Sequence, residues 1–151
     1  MALILPKQIK ITQRVLKNVA KPITFEYPAQ LAKLAMDMHE FMARKDAIGL
    51  AAPQIGISRR LFVMNAEGRL LTCFNPEALH ATVDQTMTFM EGCVSFPDEY
   101  VETDRPRKIL ARFQDFMGNW EEHELEGLAA VCYQHELDHL NGITMHERKK
   151  S

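Results

Sequence analysis

The chain has 151 residues, of which 46% are hydrophobic and 25% charged, and its formal net charge is −2. These values are typical of a globular protein and predict one domain over residues 1–151. The small net charge gives no electrostatic reason to expect binding to nucleic acid or to an acidic membrane surface. No stretch approaches the roughly 20 apolar residues that would span a bilayer.

Hydrophobic spacing predicts one amphipathic helix over 28–43, followed by a series of strands. The strands are predicted at 61–64, 70–74, 82–89 and 109–113, and 120–126 is expected to pair across Gly118 as an antiparallel hairpin. Turns are expected at Glu67-Gly68, Asn75-Pro76 and Met117-Gly118-Asn119. The expected fold is therefore α+β, with mainly antiparallel sheets around a late helix.

That late helix carries the most informative segment, in which His135 and His139 are four residues apart. Residues at this spacing share one helical face, so the two imidazoles can hold a single metal ion. Glu136 lies beside that point, where it can act on water without being a ligand. Gly142 is a natural stop for the helix. The competing interpretation is a solvent-facing helix with two unrelated histidines.

A third metal ligand must come from elsewhere in the chain. The candidates are one histidine, one glutamate and three cysteines: His146, Glu147, Cys73, Cys93 and Cys132. Cys132 is better interpreted as a buried lining residue, since a ligand set from Cys132 to His139 would spread over about 10 Å of one rigid helix. Cys73 lies in an apolar strand, whereas Gly92 allows the backbone to turn and expose the Cys93 thiol.

Three cysteines suit thiol or metal chemistry in a reducing compartment better than a disulfide framework. The first twenty residues lack the apolar core of a signal peptide. We therefore expect a cytoplasmic location.

Three segments in order resemble the motifs of the peptide deformylases, and together they span much of the chain. They are Gly49-Leu50-Ala51-Ala52-Pro53-Gln54, Glu91-Gly92-Cys93-Val94-Ser95 and Gln134-His135-Glu136-Leu137-Asp138-His139. The stretch 15–22 also resembles the family's opening segment. The resemblance selects Cys93, with His135 and His139, as the metal ligands. It implies hydrolysis of the N-formyl group from the N-terminal formylmethionine of newly made polypeptides, with release of formate.

The resemblance also assigns roles around the metal. It implies that Glu136 transfers protons, and that the Gln54 side-chain amide and the Val94 backbone N–H stabilise the oxyanion. Seven residues are implied in substrate binding: Ile48 and Gly49 through their backbone, and Phe89, Glu91, Leu128, Val131 and Cys132 around the methionine side chain. Glu91 is open to a second interpretation, in which it orients the motif, and Leu128 and Val131 are open to interpretation as core residues.

One thiolate and two imidazoles suit zinc, iron, cobalt or nickel. The resemblance implies that Fe²⁺ is the physiological ion and that Zn²⁺, Ni²⁺ or Co²⁺ can replace it. Two other functions stay open on the sequence alone. One is a small metallopeptidase that acts on unformylated peptides, and the other is an inactive binding module.

The chain departs from the family pattern at several places. Ala47 stands where a glycine is usual, Tyr100 where bacterial members often have arginine, and Val94 where leucine is commoner. The sequence also resembles a short bacterial form without the C-terminal helix that docks on the ribosome. We therefore expect a monomer that acts on nascent formylmethionyl peptides and makes at most a weakened, transient ribosome contact.

Overall fold

The computed structural model describes residues 5–79 and 85–151, and its α+β architecture confirms the expected fold class. The helices are α1 (Pro28–Arg44) and α2 (Leu128–Leu140), with short 3₁₀ helices at Ala52–Ile55 and Met145–Arg148. The strands are β1 (Gly49–Ala51), β2 (Leu61–Ala66), β3 (Arg69–Leu79), β4 (Thr86–Cys93), β5 (Phe96–Pro106), β6 (Lys108–Gln114) and β7 (Trp120–Glu126). All described pairings are antiparallel. Five strands form a sheet in the order β1-β2-β3-β6-β7, and β4 and β5 form a separate hairpin.

The two helices cover opposite faces of the five-stranded sheet. In β2, Phe62 and Met64 face the apolar cluster that includes α2, whereas Leu61 and Val63 face the cluster that includes α1. Side chains alternate across a strand, so a strand buried on both faces is apolar throughout. This explains why residues 61–64 form an unbroken hydrophobic run.

Helix α1 confirms the prediction from spacing, because the six apolar residues at helical spacing are all buried: Leu31, Leu34, Ala35, Met38, Phe41 and Met42. Pro28 occupies the start of the helix, where a missing N–H costs nothing. Asp46 follows the helix with φ of 55°, and the chain then turns into β1. The buried face of the helix thereby packs against Leu50 of β1.

Helix α2 begins after Gly127, which has φ of 65°, and ends before Gly142, which has φ of 73°. A Cβ on Gly142 would overlap the backbone of Lys17, so glycine is required there by both conformation and space. Ten of the thirteen helix residues are buried. Because the helix is packed on most sides, the directions of the His135 and His139 side chains are fixed. In the described part of the chain, no helix is both long enough and apolar enough to cross a membrane.

Several sequence predictions need correction or extension. The prediction of a turn at Asn75-Pro76 is wrong. Both residues lie inside β3, at a bulge where the register with β6 shifts. Asn75 adopts φ of 50° there, and a bulge tolerates a proline within a central strand. The predicted strand 82–89 is found from Thr86 onward, and its first residues, 82–84, lie outside the described residues.

Strands β1 and β5 were not predicted from the sequence. β1 has only three residues, too few for a periodic pattern. In β5 the inward positions after Pro97 include Val101, Thr103 and Arg105, so the buried face is mostly polar and the usual hydrophobic alternation is missing.

Candidate metal centre and catalytic cleft

The sulfur of Cys93 and the Nε2 atoms of His135 and His139 come together at the inner end of a cleft. Cys93 ends β4, and the two histidines lie one turn apart on α2. The Cys93 Sγ atom is 3.4 Å from His139 Nε2, which is 3.1 Å from His135 Nε2. One possible ligand atom from each residue lies within 4.8 Å of the others. The structure therefore places Cys93 with the two imidazoles predicted from the sequence.

The other two cysteines lie elsewhere. Cys73 is in the apolar core, and Cys132 is buried with its thiol 3.4 Å from the Ile48 carbonyl oxygen. Burial raises the pKa of both thiols well above the ordinary value, which keeps them protonated. This agrees with the prediction that Cys132 is a lining residue.

The donor set fits a divalent transition metal. One sulfur and two imidazole nitrogens on converging elements are a common three-residue set that leaves a position open. The local charge also favours a cation. Burial lowers the pKa of His135, but the adjacent Glu136, the Cys93 sulfur and Glu91 outweigh it and raise the pKa to about 10. These neighbouring groups therefore favour positive charge at the His135 ring, and the same charges favour a metal cation beside it.

Glu91 fixes the orientation of His135. It is 4% exposed, and its Oε1 lies 2.8 Å from His135 Nδ1, which leaves Nε2 of the ring directed to the metal centre. Burial raises the pKa of Glu91, but hydrogen bonds from His135 and Arg105 outweigh it and bring the pKa to about 2. Glu91 is therefore a carboxylate at neutral pH. This contact matches the second interpretation given for Glu91, although the residue also borders the cleft.

Glu136 lies beside the donor set without belonging to it. Its Oε2 is 3.9 Å from His135 Nε2, and its buried Oε1 has no hydrogen-bond partner in the described part of the chain. Burial raises the pKa of Glu136 to about 7, partly opposed by the charge of His135. A carboxylate with a free oxygen and a pKa near neutrality is suited to taking up and releasing a proton.

Gln54 belongs to the 3₁₀ helix Ala52–Ile55, which holds it next to Cys93. Its Oε1 accepts a hydrogen bond of 2.8 Å from the Ala51 N–H. Its Nε2 donates to Ser95 Oγ at 2.9 Å and to Cys93 Sγ at 3.3 Å. The side chain is almost fully buried, with 1% exposure. The amide is thus fixed with one N–H directed at Cys93 and the other at Ser95.

The cleft that opens from the centre has a volume of about 680 Å³. The residues predicted to bind substrate all line it: Ile48, Gly49, Phe89, Glu91, Leu128, Val131 and Cys132. Gln54, Val94, Cys93, His135 and Glu136 line it as well. Phe89, Leu128 and Val131 give the cleft an apolar part, whereas Cys93, His135 and Glu136 give it a polar part. Such a combination can take up an apolar side chain while exposing an adjacent polar bond to the metal centre.

The three departures from the family pattern also lie at the cleft. Ala47 is not among the residues with positive φ, so alanine is accommodated, and Asp46 takes the left-handed conformation instead. Tyr100 is 69% exposed at the rim, and its ring covers Gly92 on the paired strand. Val94 is half-buried and packs against the α1 cluster.

Sequence reasoning missed Arg105, Asp138 and Ser95 as parts of the site. Arg105 and Asp138 are buried, with Arg105 Nη1 2.8 Å from Asp138 Oδ2. Arg105 stands in the charged stretch Asp104-Arg105-Pro106-Arg107-Lys108, which has the composition of an exposed loop. Asp138 lies within the motif, and its burial could have been inferred from its position three residues after His135, which places the two on the same side of the helix.

A cleft that adjoins a cluster of one cysteine sulfur and two imidazoles, with a buried carboxyl group beside it, is the arrangement of metal-dependent hydrolases. A sequence model described as polypeptide deformylase matches residues 6–151. The chain belongs to the polypeptide deformylase family.

Individual relatives agree with this assignment. The peptide deformylase of Thermotoga neapolitana is 43% identical over 136 residues, which cover 90% of this chain and 82% of that protein. The crystal structure of the Thermotoga maritima peptide deformylase superposes with a TM-score of 0.88 at 41% identity, covering 95% of this chain and 97% of that one. A plant peptide deformylase structure gives a TM-score of 0.91 at 31% identity, covering 99% and 85%.

Proposed function

We propose that this chain is a metal-dependent hydrolase that removes the N-formyl group from formylmethionine at the start of newly made polypeptides. The observation that carries the proposal is that two further side chains adjoin the cluster formed by Cys93, His135 and His139: Glu136 Oε2 lies 3.9 Å from His135 Nε2, and Gln54 Nε2 lies 3.3 Å from Cys93 Sγ. A proton-transfer group and an amide donor thereby face one metal centre. Membership of the deformylase family supports the same reaction.

Cys93, His135 and His139 are the proposed metal ligands, and Fe²⁺ is the proposed physiological ion, with Zn²⁺, Ni²⁺ and Co²⁺ as replacements. When bound, the ion supplies a Lewis acid that polarises the formyl carbonyl and lowers the pKa of water. Glu91 keeps the His135 ring in the tautomer that offers Nε2, through the 2.8 Å contact at Nδ1. The remaining chemistry is carried out by side chains and backbone.

Glu136 is the proposed proton-transfer residue. Its carboxylate takes a proton from the attacking water, whose oxygen bonds to the formyl carbon. When the carbon–nitrogen bond breaks, Glu136 returns the proton to the nitrogen, so the products are formate and a free amine. Glu136 is placed for this task because it lines the cleft and its Oε2 lies 3.9 Å from His135 Nε2.

Gln54 and the Val94 backbone N–H are the proposed donors to the oxyanion that develops on the formyl group. Gln54 Nε2 already directs one hydrogen to Ser95 Oγ and the other toward Cys93 Sγ. Sulfur is a weak acceptor. We therefore propose that the oxyanion takes over the hydrogen that now points to Cys93, while the bond to Ser95 keeps the amide in place.

The apolar part of the cleft is the proposed pocket for the methionine side chain. Phe89, Leu128, Val131 and Cys132 would surround it, and the backbone of Ile48 and Gly49 would pair with the peptide. All of these residues line the same cleft as Glu136 and Cys93. An unbranched side chain of moderate length is the kind of group that such walls accommodate.

We further propose that residues 1–151 form one catalytic domain that acts as a monomer in the cytoplasm. The family match over residues 6–151 and the free state of all three cysteines support this. The proposed partners are nascent formylmethionyl peptides, reached through at most a transient ribosome contact. We propose no direct binding to nucleic acid, because a net charge of −2 gives no electrostatic attraction to phosphate groups.

The decisive experiment measures formate release from formyl-Met-Ala by the Fe²⁺-loaded protein. Acetyl-Met-Ala and Met-Ala are the matched controls, because they keep the peptide and change only the N-terminal group. We expect formate and Met-Ala from the formyl peptide, and no cleavage of the other two. Release of free methionine from Met-Ala would instead identify a peptidase and reject the proposal.

Inhibitor binding gives an independent test of the cleft. One solved structure is that of an Acinetobacter baumannii peptide deformylase with actinonin bound. It is 30% identical to this chain with a TM-score of 0.86, and the match covers 94% of this chain and 98% of that one. We expect actinonin to raise the melting temperature of the metal-loaded protein, and to raise it much less once Cys93 is changed to alanine. Equal shifts for both proteins would place the binding outside the metal centre.

A further inference from the structure

The three proposed metal ligands come from two parts of the fold that share little apolar packing. Cys93 belongs to the β4–β5 hairpin, whereas His135 and His139 belong to α2. In the described residues, neither of the two apolar clusters includes a member of β4 or β5; Val94, in the turn between these strands, packs against the cluster that includes α1 and not against the one that includes α2. The position of the hairpin relative to α2 must therefore depend largely on polar contacts.

Arg105 makes the most buried of these contacts. It lies on β5 and is 4% exposed. Its Nε and Nη2 donate to the two carboxylate oxygens of Glu91 on β4, at 2.5 and 3.0 Å. Its Nη1 donates to Asp138 Oδ2 on α2 at 2.8 Å. One guanidinium thus joins a carboxylate of the hairpin to a carboxylate of the metal-binding helix.

Each of the two carboxylates has a direct connection to the metal centre. Glu91 contacts His135 Nδ1 at 2.8 Å. Asp138 immediately precedes His139 on α2. A change in the position of Arg105 would therefore alter both the orientation of His135 and the distance between the hairpin and the helix.

We propose that Arg105 is a positioning residue that sets the geometry of Cys93 relative to His135 and His139. The proposal rests on the metal centre assigned under the proposed function. Arg105 acts through Glu91 and Asp138 and does not itself contact the ligand atoms. The planar guanidinium is required because it donates to two carboxylates in fixed directions, which the single ammonium group of a lysine cannot do.

Arg148 provides a matched control. Its Nε and Nη2 also bind Asp138, at 3.0 Å each, so it shares one partner with Arg105. However, its side chain is 47% exposed, and no described hydrogen bond joins it to Glu91. If Arg105 only neutralised Asp138, loss of Arg148 would have a comparable effect on the metal centre.

The test measures Co²⁺ binding, which needs no substrate. The dissociation constant is obtained by competition with a chelator, and the visible absorption of the Co²⁺ protein reports the ligand geometry. For Arg105→Lys we expect the dissociation constant to rise about 10- to 100-fold, with shifted absorption bands. For Arg148→Met we expect a change of less than about threefold and an unaltered spectrum, since half-exposed ion pairs contribute little. An unaltered affinity and spectrum in Arg105→Lys would overturn the proposal.

A double-mutant cycle separates positioning from general destabilisation. If Arg105 acts through Glu91, the losses of Co²⁺ affinity in Arg105→Lys and Glu91→Gln are less than additive in the double variant. Full additivity would contradict this route. Should Arg105→Lys fail to fold, Arg105→Gln is combined with Glu91→Gln and Asp138→Asn. Co²⁺ binding that is weaker than in the wild type by the same factor in this triple variant and in Glu91→Gln/Asp138→Asn would support the proposal, and a further loss on removal of Arg105 would overturn it.

The outcome can be distinguished from a failure of the proposed function. If the wild-type protein releases no formate from formyl-Met-Ala but binds Co²⁺, the deformylase proposal fails, and the Co²⁺ measurements still decide the role of Arg105.

Discussion

The carboxylate of Glu136 lies directly against the backbone of Gly49, where strand β1 meets helix α2. A Cβ atom on Gly49 would overlap Glu136 Oε2 and would lie 2.8 Å from its Cδ. Gly49 is not among the residues with positive φ, so glycine is needed here for space and not for backbone conformation. The position of the proposed proton-transfer group therefore depends on the absence of a side chain in another element.

Adding one methyl group at this point should displace Glu136. For Gly49→Ala we expect kcat to fall about 100-fold, since a shift of roughly 1 Å in a catalytic group has this effect. Metal content should stay normal because the three atoms nearest to the added methyl group all belong to Glu136, which is not a proposed ligand. The measurement is formate release at saturating substrate, together with metal analysis of the same sample.

Ala47→Gly is the control for the Gly49 substitution. It alters backbone freedom in the same segment, restores the residue usual in the family, and adds no atom near Glu136. We expect activity within about threefold of wild type, in line with the few tenths to 1 kcal/mol effect of such a change on stability. Equal losses of activity in Gly49→Ala and Ala47→Gly would show that the backbone conformation of this segment causes the effect, and that the overlap with Glu136 does not.

Removal of the Glu136 carboxylate should separate metal binding from catalysis. For Glu136→Gln and Glu136→Ala we expect normal metal content with formate release near background, because the carboxylate is not part of the proposed ligand set. Undiminished turnover in either variant would reject the assigned role.

The pH dependence follows from the raised pKa of Glu136. Proton uptake requires the carboxylate form, and burial raises the pKa to about 7, so activity should fall as pH decreases below that value. A bound divalent cation lowers the pKa of an adjacent carboxyl group. We therefore expect the acid limb of kcat/KM at or below pH 7, with a tenfold loss per pH unit. A limb well above pH 7 would point to a different titrating group.

Gln54 should be more important for the reaction than for folding. For Gln54→Ala we expect a loss of kcat of about 100- to 1000-fold, the usual effect of removing one oxyanion donor. Ser95→Ala removes only the hydroxyl that accepts a hydrogen bond from Gln54 Nε2 and should cost far less, because the bond from the Ala51 N–H still holds the amide. Steady-state formate release on both variants makes the comparison. Similar losses would mean that the two residues act as a structural pair.

A residue of this site can be predicted from the sequence when its neighbours in space are also its neighbours along the chain. His135, Glu136 and His139 are related by helical spacing alone, and α1 and α2 follow from periodicity, so these features could be predicted. Cys93 needed the family resemblance, because its distance to the histidines is set by the relative position of two separate elements. Arg105 could not be recognised at all, since its burial results from pairing with Glu91 across a hairpin and with Asp138 on a distant helix.

The lowered pKa of Glu91 makes a prediction about stability. Its folded-state pKa of about 2 lies below the ordinary 4.5, so the charged form stabilises the fold above about pH 4.5, and this contribution is lost as pH falls toward 2. The shift corresponds to about 3 kcal/mol. For Glu91→Gln we expect a lower free energy of unfolding at pH 7, with a difference from wild type that shrinks between pH 4.5 and 2. Urea unfolding across this range measures it, and a pH-independent difference would contradict the assignment.

Metal exchange tests both the ligand set and the proposed ion. Removal of metal by a chelator should abolish formate release, and addition of Fe²⁺ under anaerobic conditions should restore it. We expect the Fe²⁺ and Ni²⁺ proteins to be far more active than the Zn²⁺ protein, because iron and nickel more readily accept ligands beyond the four of a tetrahedral site. The three forms must be compared at equal metal occupancy. Equal turnover would refute the preference for iron, whereas full activity in Cys93→Ala would refute the ligand set itself.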